Sequence, residues 1–179
     1  MIITDKYVFF FGGICSQWVP SKFTIDGITY NCAEQYMMAQ KALFFKDKEQ
    51  LQKIMNTDNP RDQKYYGRQV KNFDYKKWSD VSRKIVYKGN IAKFTQNPKM
   101  LDELLSYGDR EIVEASPTDK IWGIGLAVDD PKIHDKNEWQ GTNWLGEIMM
   151  KVRKDLKDYL SGEDYEPDYE WLNDIARAR

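Results

Sequence analysis

A glutamate and a lysine stand seven residues apart in the stretch Asn31-Cys32-Ala33-Glu34-Gln35-Tyr36-Met37-Met38-Ala39-Gln40-Lys41-Ala42. On a helix, seven steps of about 100° return to within about 20° of the starting direction and climb about 10 Å. Glu34 and Lys41 therefore share a face, with Met38 between them. A carboxylate and an amine so placed suit reactions in which charge develops on a sugar. The carboxylate can act as acid or base, and a desolvated amine can act as nucleophile. The same residues also have a structural reading. Asn31 followed three residues later by Glu34 is an analogue of the capping box, and Lys41 can be a surface lysine whose stem lies on apolar neighbours. The two readings are compatible, because a helix N-terminus also welcomes an anionic substrate.

Three further stretches carry candidate groups. In Asp119-Lys120-Ile121-Trp122-Gly123-Ile124-Gly125-Leu126, the glycines resemble part of a dinucleotide loop, but Val128 stands where the third glycine belongs, so that reading is rejected. Gly123 and Gly125 instead allow close approach of backbone, either to a ligand or to a neighbouring segment. Trp122 fits a core position or a platform for a base or ribose. In Trp139-Gln140-Gly141-Thr142-Asn143-Trp144-Leu145-Gly146, Thr142 reads as the N-cap of a long helix. Gly141 and the first free N–H groups then form either a phosphate cradle or an ordinary capped helix end. Arg68, after Gly67, can pair with a phosphate or with a surface carboxylate. Cys32 sits at a helix N-terminus, which favours a thiolate, yet the single histidine, His134, lies in a distant polar loop. The basic run Lys71, Lys76, Lys77, Arg83, Lys84 and Lys88 reads as a solvated helix face that can also guide an anionic partner.

The elements that must hold these groups are mostly helical. Tyr7 to Phe11, ended by two glycines, reads as a buried strand. Phe23 to Tyr30 places Asp26-Gly27 between two β-prone runs, a hairpin signal. Helices are expected from about Ala33 to Phe45, Lys48 to Met55, Pro60 to about Val70, Asp74 to Phe94 with Gly89 a weak point, Pro98 to about Gly108, and Thr142 to Leu160 before a stop at Gly162. Glu111 to Ala115 and Ile121 to Val128 are expected strands, and Asp129 to Gly141 a polar loop. Strands and helices do not alternate as βαβ units, so the class is α+β: a helix-rich single domain over residues 1–160 with a small β-sheet. Residues 161–179 read as an acidic linker and a short final helix or tail.

Composition excludes several classes. The 179 residues carry 27 basic and 28 acidic side chains, which argues against a generic basic nucleic-acid sleeve. With 41% hydrophobic and 14% aromatic residues the chain is an ordered globule rather than a disordered one. Two cysteines and one histidine, with no CxxC and no HExxH, leave no metal site to expect and no disulfide scaffold. No apolar run approaches the ~18 residues of a membrane span, and the short apolar start has no basic leader, so a cytoplasmic location is expected.

Taken together, the motifs from Tyr7 to Leu156 resemble the NADAR family, also called YbiA-like. The hairpin Phe23 to Tyr30, the run Ala33 to Ala42, Trp122-Gly123-Ile124-Gly125, Trp139 to Gly146, and Met150-x-x-Arg153 occur in the family's order. Near the start, where members carry a stretch like Phe-x-Ser-Asn-Phe, this chain has Gly13-Ile14-Cys15-Ser16-Gln17-Trp18, then Pro20-Ser21-Lys22-Phe23. Gln35 stands where many members have histidine, so an imidazole there is not required. The resemblance implies an α+β N-glycosidase that needs no cofactor and no metal. It implies that Glu34 is the acid/base or charge-stabilising group, and that Lys41 forms a Schiff base or positions the substrate. It further implies that Trp18, Asp119, Trp122, Gly123 and Gly125 contact sugar and base, and that Arg68, Gly141, Thr142 and Asn143 meet phosphate.

Three functions follow as alternatives. The first is removal of ADP-ribose from ADP-ribosylated guanine in nucleotides or nucleic acid, with ADP-ribose as product. The second is hydrolysis of ribosylaminopyrimidine phosphate intermediates of riboflavin synthesis. The third is a non-catalytic ADP-ribose-binding module. Near-neutral charge favours local recognition of a modified nucleotide over a long phosphate track, and a base on a single strand is easier to reach than one in a duplex.

Overall fold

The computed structural model describes residues 1–162. The tail expected over 161–179 lies, from residue 163 on, outside the described residues. In chain order the elements are β1 (Ile2–Ile3), β2 (Tyr7–Phe10), β3 (Phe23–Ile25), β4 (Ile28–Tyr30), α1 (Ala33–Phe44), α2 (Lys48–Met55), α3 (Pro60–Arg68), α4 (Tyr75–Thr95), α5 (Pro98–Ser106), β5 (Glu111–Glu114) and α6 (Trp144–Leu160). Two short 3-10 turns, Pro131–His134 and Lys136–Glu138, interrupt the expected polar loop. The class is the helix-rich α+β one expected, with the strands in two small sheets rather than one. Among the described residues, 20–97 form one compact unit, and 1–19 with 98–162 form another.

In residues 20–97 the Asp26-Gly27 turn behaves as its composition requires. Asp26 and Gly27 both take positive φ, 51° and 78°, so the two-residue loop matches the twist of the strands it joins. The register pairs Phe23 with Tyr30 and Thr24 with Thr29. Phe23 and Tyr30 are buried and meet the ring of Tyr36 edge-on at 6.0 and 5.0 Å, which anchors α1 to the hairpin. α4 runs unbroken through Gly89, the expected weak point. A Cβ there would lie 2.6 Å from the Tyr36 ring, so the glycine allows α1 and α4 to approach, and packing outweighs its low helix propensity. Arg83 is only 3% exposed and does not belong to the solvated face expected of it.

In the other unit, β2 lies between β1, antiparallel to it, and β5, parallel to it. β5 packs on α6, and Asn143 joins them. Its side-chain Oδ1 accepts the Glu114 N–H at 2.9 Å and its Nδ2 donates to the Ile112 carbonyl at 3.0 Å, so an amide side chain stands in for a missing strand. The expected strand from Ile121 to Val128 does not form. Asp119 Oδ1 accepts the N–H groups of Ile121 and Trp122, and Gly125 turns to φ 70°, which bends the chain out of an extended path. The core here gathers Phe9, Val113, Ala115, Ile124, Leu126 and Ile133. α6 stops as expected, with Gly162 at φ 84°.

One carboxylate ties a loop to the first helices. Asp47 caps α2 by accepting the Gln50 N–H at 3.1 Å, and also accepts the Lys71 N–H at 2.8 Å. The bond from Lys71, then that from Gln50, holds the Asp47 carboxyl below the ordinary range. Because the folded-state value is depressed, its stabilisation is present above the unfolded value of ~3.9 and is lost as pH falls through the lower folded one. Asp47→Ala should cost about 2 kcal/mol in urea unfolding at pH 7. The gap from the parent protein should shrink on acidification below ~4.

Candidate active site

α1 is buried on nearly every side, and that is what makes Glu34 and Lys41 unusual. The two are 6% and 8% exposed, both on a helix whose residues from Ala33 to Ala39 are all buried. The expected capping role of Glu34 is not what starts this helix. Cys32, not Asn31, is the N-cap, in extended conformation and without a side-chain cap bond. Gln35 rather than Glu34 reaches back, its Oε1 accepting the Asn31 N–H at 2.8 Å while its Nε2 donates to the Ile54 and Thr57 carbonyls. The helix begins at Ala33 as expected, but its N-cap is Cys32 rather than Asn31, and the back-bond falls to Gln35.

Lys41 points its ammonium at aromatic faces, 4.2 Å from the centroid of Phe73 and 5.9 Å from that of Trp78. Burial pushes its pKa down, the charge of Arg68 pushes it further, and Glu34 opposes both, leaving it at about 8. About a tenth of such an amine is neutral at pH 7, several hundred times the fraction of an ordinary lysine. Arg68 comes near because Gly67 lets it. A Cβ on Gly67 would lie 2.0 Å from Met38 Sδ, so α3 seats on the face of α1 that lies between Glu34 and Lys41. Arg68 itself is exposed at the last turn of α3, free to meet an anion.

Cys32 is a poor nucleophile. Its thiol donates to Gln63 Oε1 at 3.2 Å, and burial pushes its pKa up to about 11. Around the same thiol lie the charges of Glu34 and of Lys93, a lysine of α4 with 0% exposure. Sequence reading passed over Lys93 and the equally buried Asn90. Their signal was present: Val86, Asn90, Lys93 and Phe94 recur at helical spacing and form one buried stripe of α4.

The candidates of the other unit serve its own backbone. The N–H groups of Thr142, Asn143, Trp144 and Leu145 donate to the carbonyls of Lys120, Gly123, Ile121 and Trp122. In the cradle expected at Gly141, Thr142 and Asn143, the N–H groups of Thr142 and Asn143 are therefore taken by protein oxygen. Asn143, not Thr142, caps α6, and the Thr142 hydroxyl donates to the Ile121 carbonyl. Gly123 and Gly141 face backbone: a Cβ on Gly141 would lie 2.2 Å from the Gly123 carbonyl, and one on Gly123 lies 2.8 Å from that of Glu114. Gly125 is required by its positive φ. Asp119 uses Oδ1 as a turn cap. Trp122 is half-buried, edge-on to Trp144 at 5.8 Å, and Trp18 is exposed.

The sequence model of the NADAR domain matches residues 9–157. The chain belongs to the NADAR family. It is 45% identical over 165 residues to an N-glycosidase of Acanthamoeba polyphaga mimivirus, covering 85% of this chain and 97% of that one. It is 34% identical to the protein irg-1 of Caenorhabditis elegans, covering 86% and 81%. The solved structure of Escherichia coli YbiA superposes with a TM-score of 0.72 over 94% of each chain at 24% identity, which shows the shared fold. The activity class of this NADAR chain is N-glycosyl hydrolysis. Among the described residues no cluster of three His, Cys, Asp or Glu is placed to hold a metal ion, and no helix is long and apolar enough to cross a membrane.

Gly141→Ala tests the reassignment of the glycines. The clash with backbone should destabilise the ligand-free protein by about 2 kcal/mol or more, read by urea unfolding. A glycine serving only phosphate would leave that stability unchanged.

Proposed function

We propose that this NADAR enzyme hydrolyses the bond between ribose C1′ and an exocyclic base amine, removing ADP-ribose from ADP-ribosylated guanine in nucleotides or nucleic acid. Glu34 and Lys41 carry the chemistry. The observation that supports this most is the buried Lys41 amine, partly neutral near pH 7, on the same helix face as a buried carboxylate.

When the proton that Lys41 gives up rests on Glu34, that acid passes it to the exocyclic nitrogen as the C1′–N bond breaks, so the base leaves as a neutral amine. The electron pair of that bond goes with the nitrogen, and C1′ passes through an oxocarbenium-like state. The neutral amine of Lys41 bonds to C1′, and the ring oxygen takes up the lysine proton as the ring opens to a Schiff base. Water then adds to C1′ and returns a proton to Glu34, the C1′–N bond to Lys41 breaks to restore the lysine amine, and the open-chain sugar recloses as ADP-ribose is released. Arg68 offers its guanidinium to a phosphate oxygen.

Guanine-ADP-ribosylated single-stranded oligonucleotide, followed by mass spectrometry, tests the reading. The parent protein should release the ADP-ribose mass, and Glu34→Gln should slow release by about 10²- to 10⁴-fold while keeping its unfolding midpoint. Unchanged turnover in that variant would sink the assignment. Borohydride should trap an adduct on Lys41 that Lys41→Arg lacks. The step needs Lys41 neutral and Glu34 protonated at once, so kcat/KM should pass through a maximum with pH and fall on either side of it.

A second reading, a ribosylaminopyrimidine phosphate as substrate, draws support from one relative. The chain is 26% identical over 82% of its length to a Vibrio vulnificus protein named as a riboflavin biosynthesis protein, matching 36% of that longer chain. ADP-ribose should inhibit competitively under the first reading and only weakly under the second.

A further inference from the structure

The rings beside Lys41 are not all core. Trp78 is buried, but Phe73 is 43% exposed and Phe44 42%. Phe73 meets Phe45 at 5.5 Å, Phe45 meets Phe44 at 4.9 Å, and Phe44 meets Trp78 at 6.4 Å, so the four rings form one chain around the amine. A phenylalanine left nearly half in water beside a buried lysine is of no use to the core, where an apolar side chain gains most by full burial.

Phe73 is also held in place. The segment between α3 and α4 is tied down two residues earlier, where Asp47 accepts the Lys71 N–H. Asn72 adopts φ 57°, a left-handed conformation that asparagine tolerates, and so turns the chain as it enters Phe73. The ring is thus a preformed flat surface with one cation, Lys41, on its face and a second, Arg68, close to that cation.

We propose that Phe73 is a specificity-determining residue, whose exposed ring is the stacking face for the leaving base. The inference deepens the function proposed above and rests on it. If C1′ comes to the Lys41 amine, the base is joined to C1′ through a single exocyclic nitrogen and must lie next to that amine. Phe73 is the ring nearest to it. An aromatic face is indifferent to phosphate and suits the π-face of a base. The Lys41 cation is attracted to the ring only while it carries its proton. When the amine becomes neutral and reactive it loosens its hold on Phe73, and the base takes its place there.

Three variants separate this role from packing: Phe73→Leu, which keeps bulk without a π-face, Phe73→Trp, which keeps the π-face, and Phe44→Leu as a neighbouring exposed ring. Their unfolding midpoints show which have folded. The probe for binding is 2-aminopurine riboside 5′-monophosphate, a fluorescent purine nucleotide, titrated with each protein. The parent protein and Phe73→Trp should quench it. Phe73→Leu should bind it roughly 10- to 100-fold more weakly. With the guanine-linked substrate, Phe73→Leu should raise KM by a similar factor and change kcat far less, with Phe73→Trp near the parent value. Equal quenching by parent and Phe73→Leu, or no quenching by the parent, overturns the proposal. So does a Phe73→Leu variant whose kcat falls and whose pH profile moves while KM stays, because the ring would then act only on Lys41. Parent protein that quenches through Phe73 but cleaves no guanine-linked substrate would sink the function proposed above and leave the stacking face standing.

Discussion

Lys41 holds its amine against two aromatic rings and almost out of water. An ammonium in such a place is unfavourable unless charges and π-faces around it compensate, and a buried lysine meets that penalty by giving up its proton more easily. Much of what residues 20–97 do can be traced to keeping that amine there. α1 is enclosed by the hairpin and by α2, α3 and α4, so its polar residues meet the groups of those neighbours rather than water. Glu34 then opposes the loss of the proton and Arg68 favours it. The amine is left in between, charged for most molecules at neutral pH and neutral in a minority.

Enclosing a helix this closely needs places where backbones can almost touch, and glycine supplies them. Gly67 lets α3 seat on Met38, and Gly89 lets α4 seat on Tyr36. The same device recurs in the other unit, where Gly123 and Gly141 bring two loops into backbone contact and Asn143 closes the open side of β5. In one place close packing positions a reactive amine. In the other it builds a rigid loop pair on which Trp122 is carried. Motifs that look alike as runs of glycine beside aromatic residues thus do different work.

The elements were largely legible because their signals are local. Asp26-Gly27 demands left-handed φ, Asn59-Pro60 starts a helix, and the apolar spacing of α6 needs no partner to be read. The expected strand at Ile121 to Val128 failed because Asp119 and Gly125 impose turns that outweigh β propensity. Arg83 was misread for another reason. A cation on a lysine-rich helix looks solvated until the neighbours that bury it are known. The helix-end expectations at Asn31 and Thr142 each missed by one residue: Gln35 took the back-bond in α1, and Asn143 became the N-cap of α6 while its side chain joined β5.

The sequence by itself determined that Glu34 and Lys41 share a helix face, because 3.6 residues per turn leaves no other arrangement at that spacing. It also determined the α+β class, and it carried the order of motifs that marks the NADAR family. Only the tertiary structure decided what those residues experience. Burial, the approach of Arg68 through Gly67, and the rings of Phe73 and Trp78 arise from segments up to 37 residues away from Lys41 in the chain. The pKa of a group is set by the solvent and charge around it rather than by its neighbours in sequence. The same holds for Thr142 and Asn143, whose N–H groups were open to a phosphate in the sequence and are occupied by carbonyls in the fold. A donor's partner is chosen by what packing brings within reach.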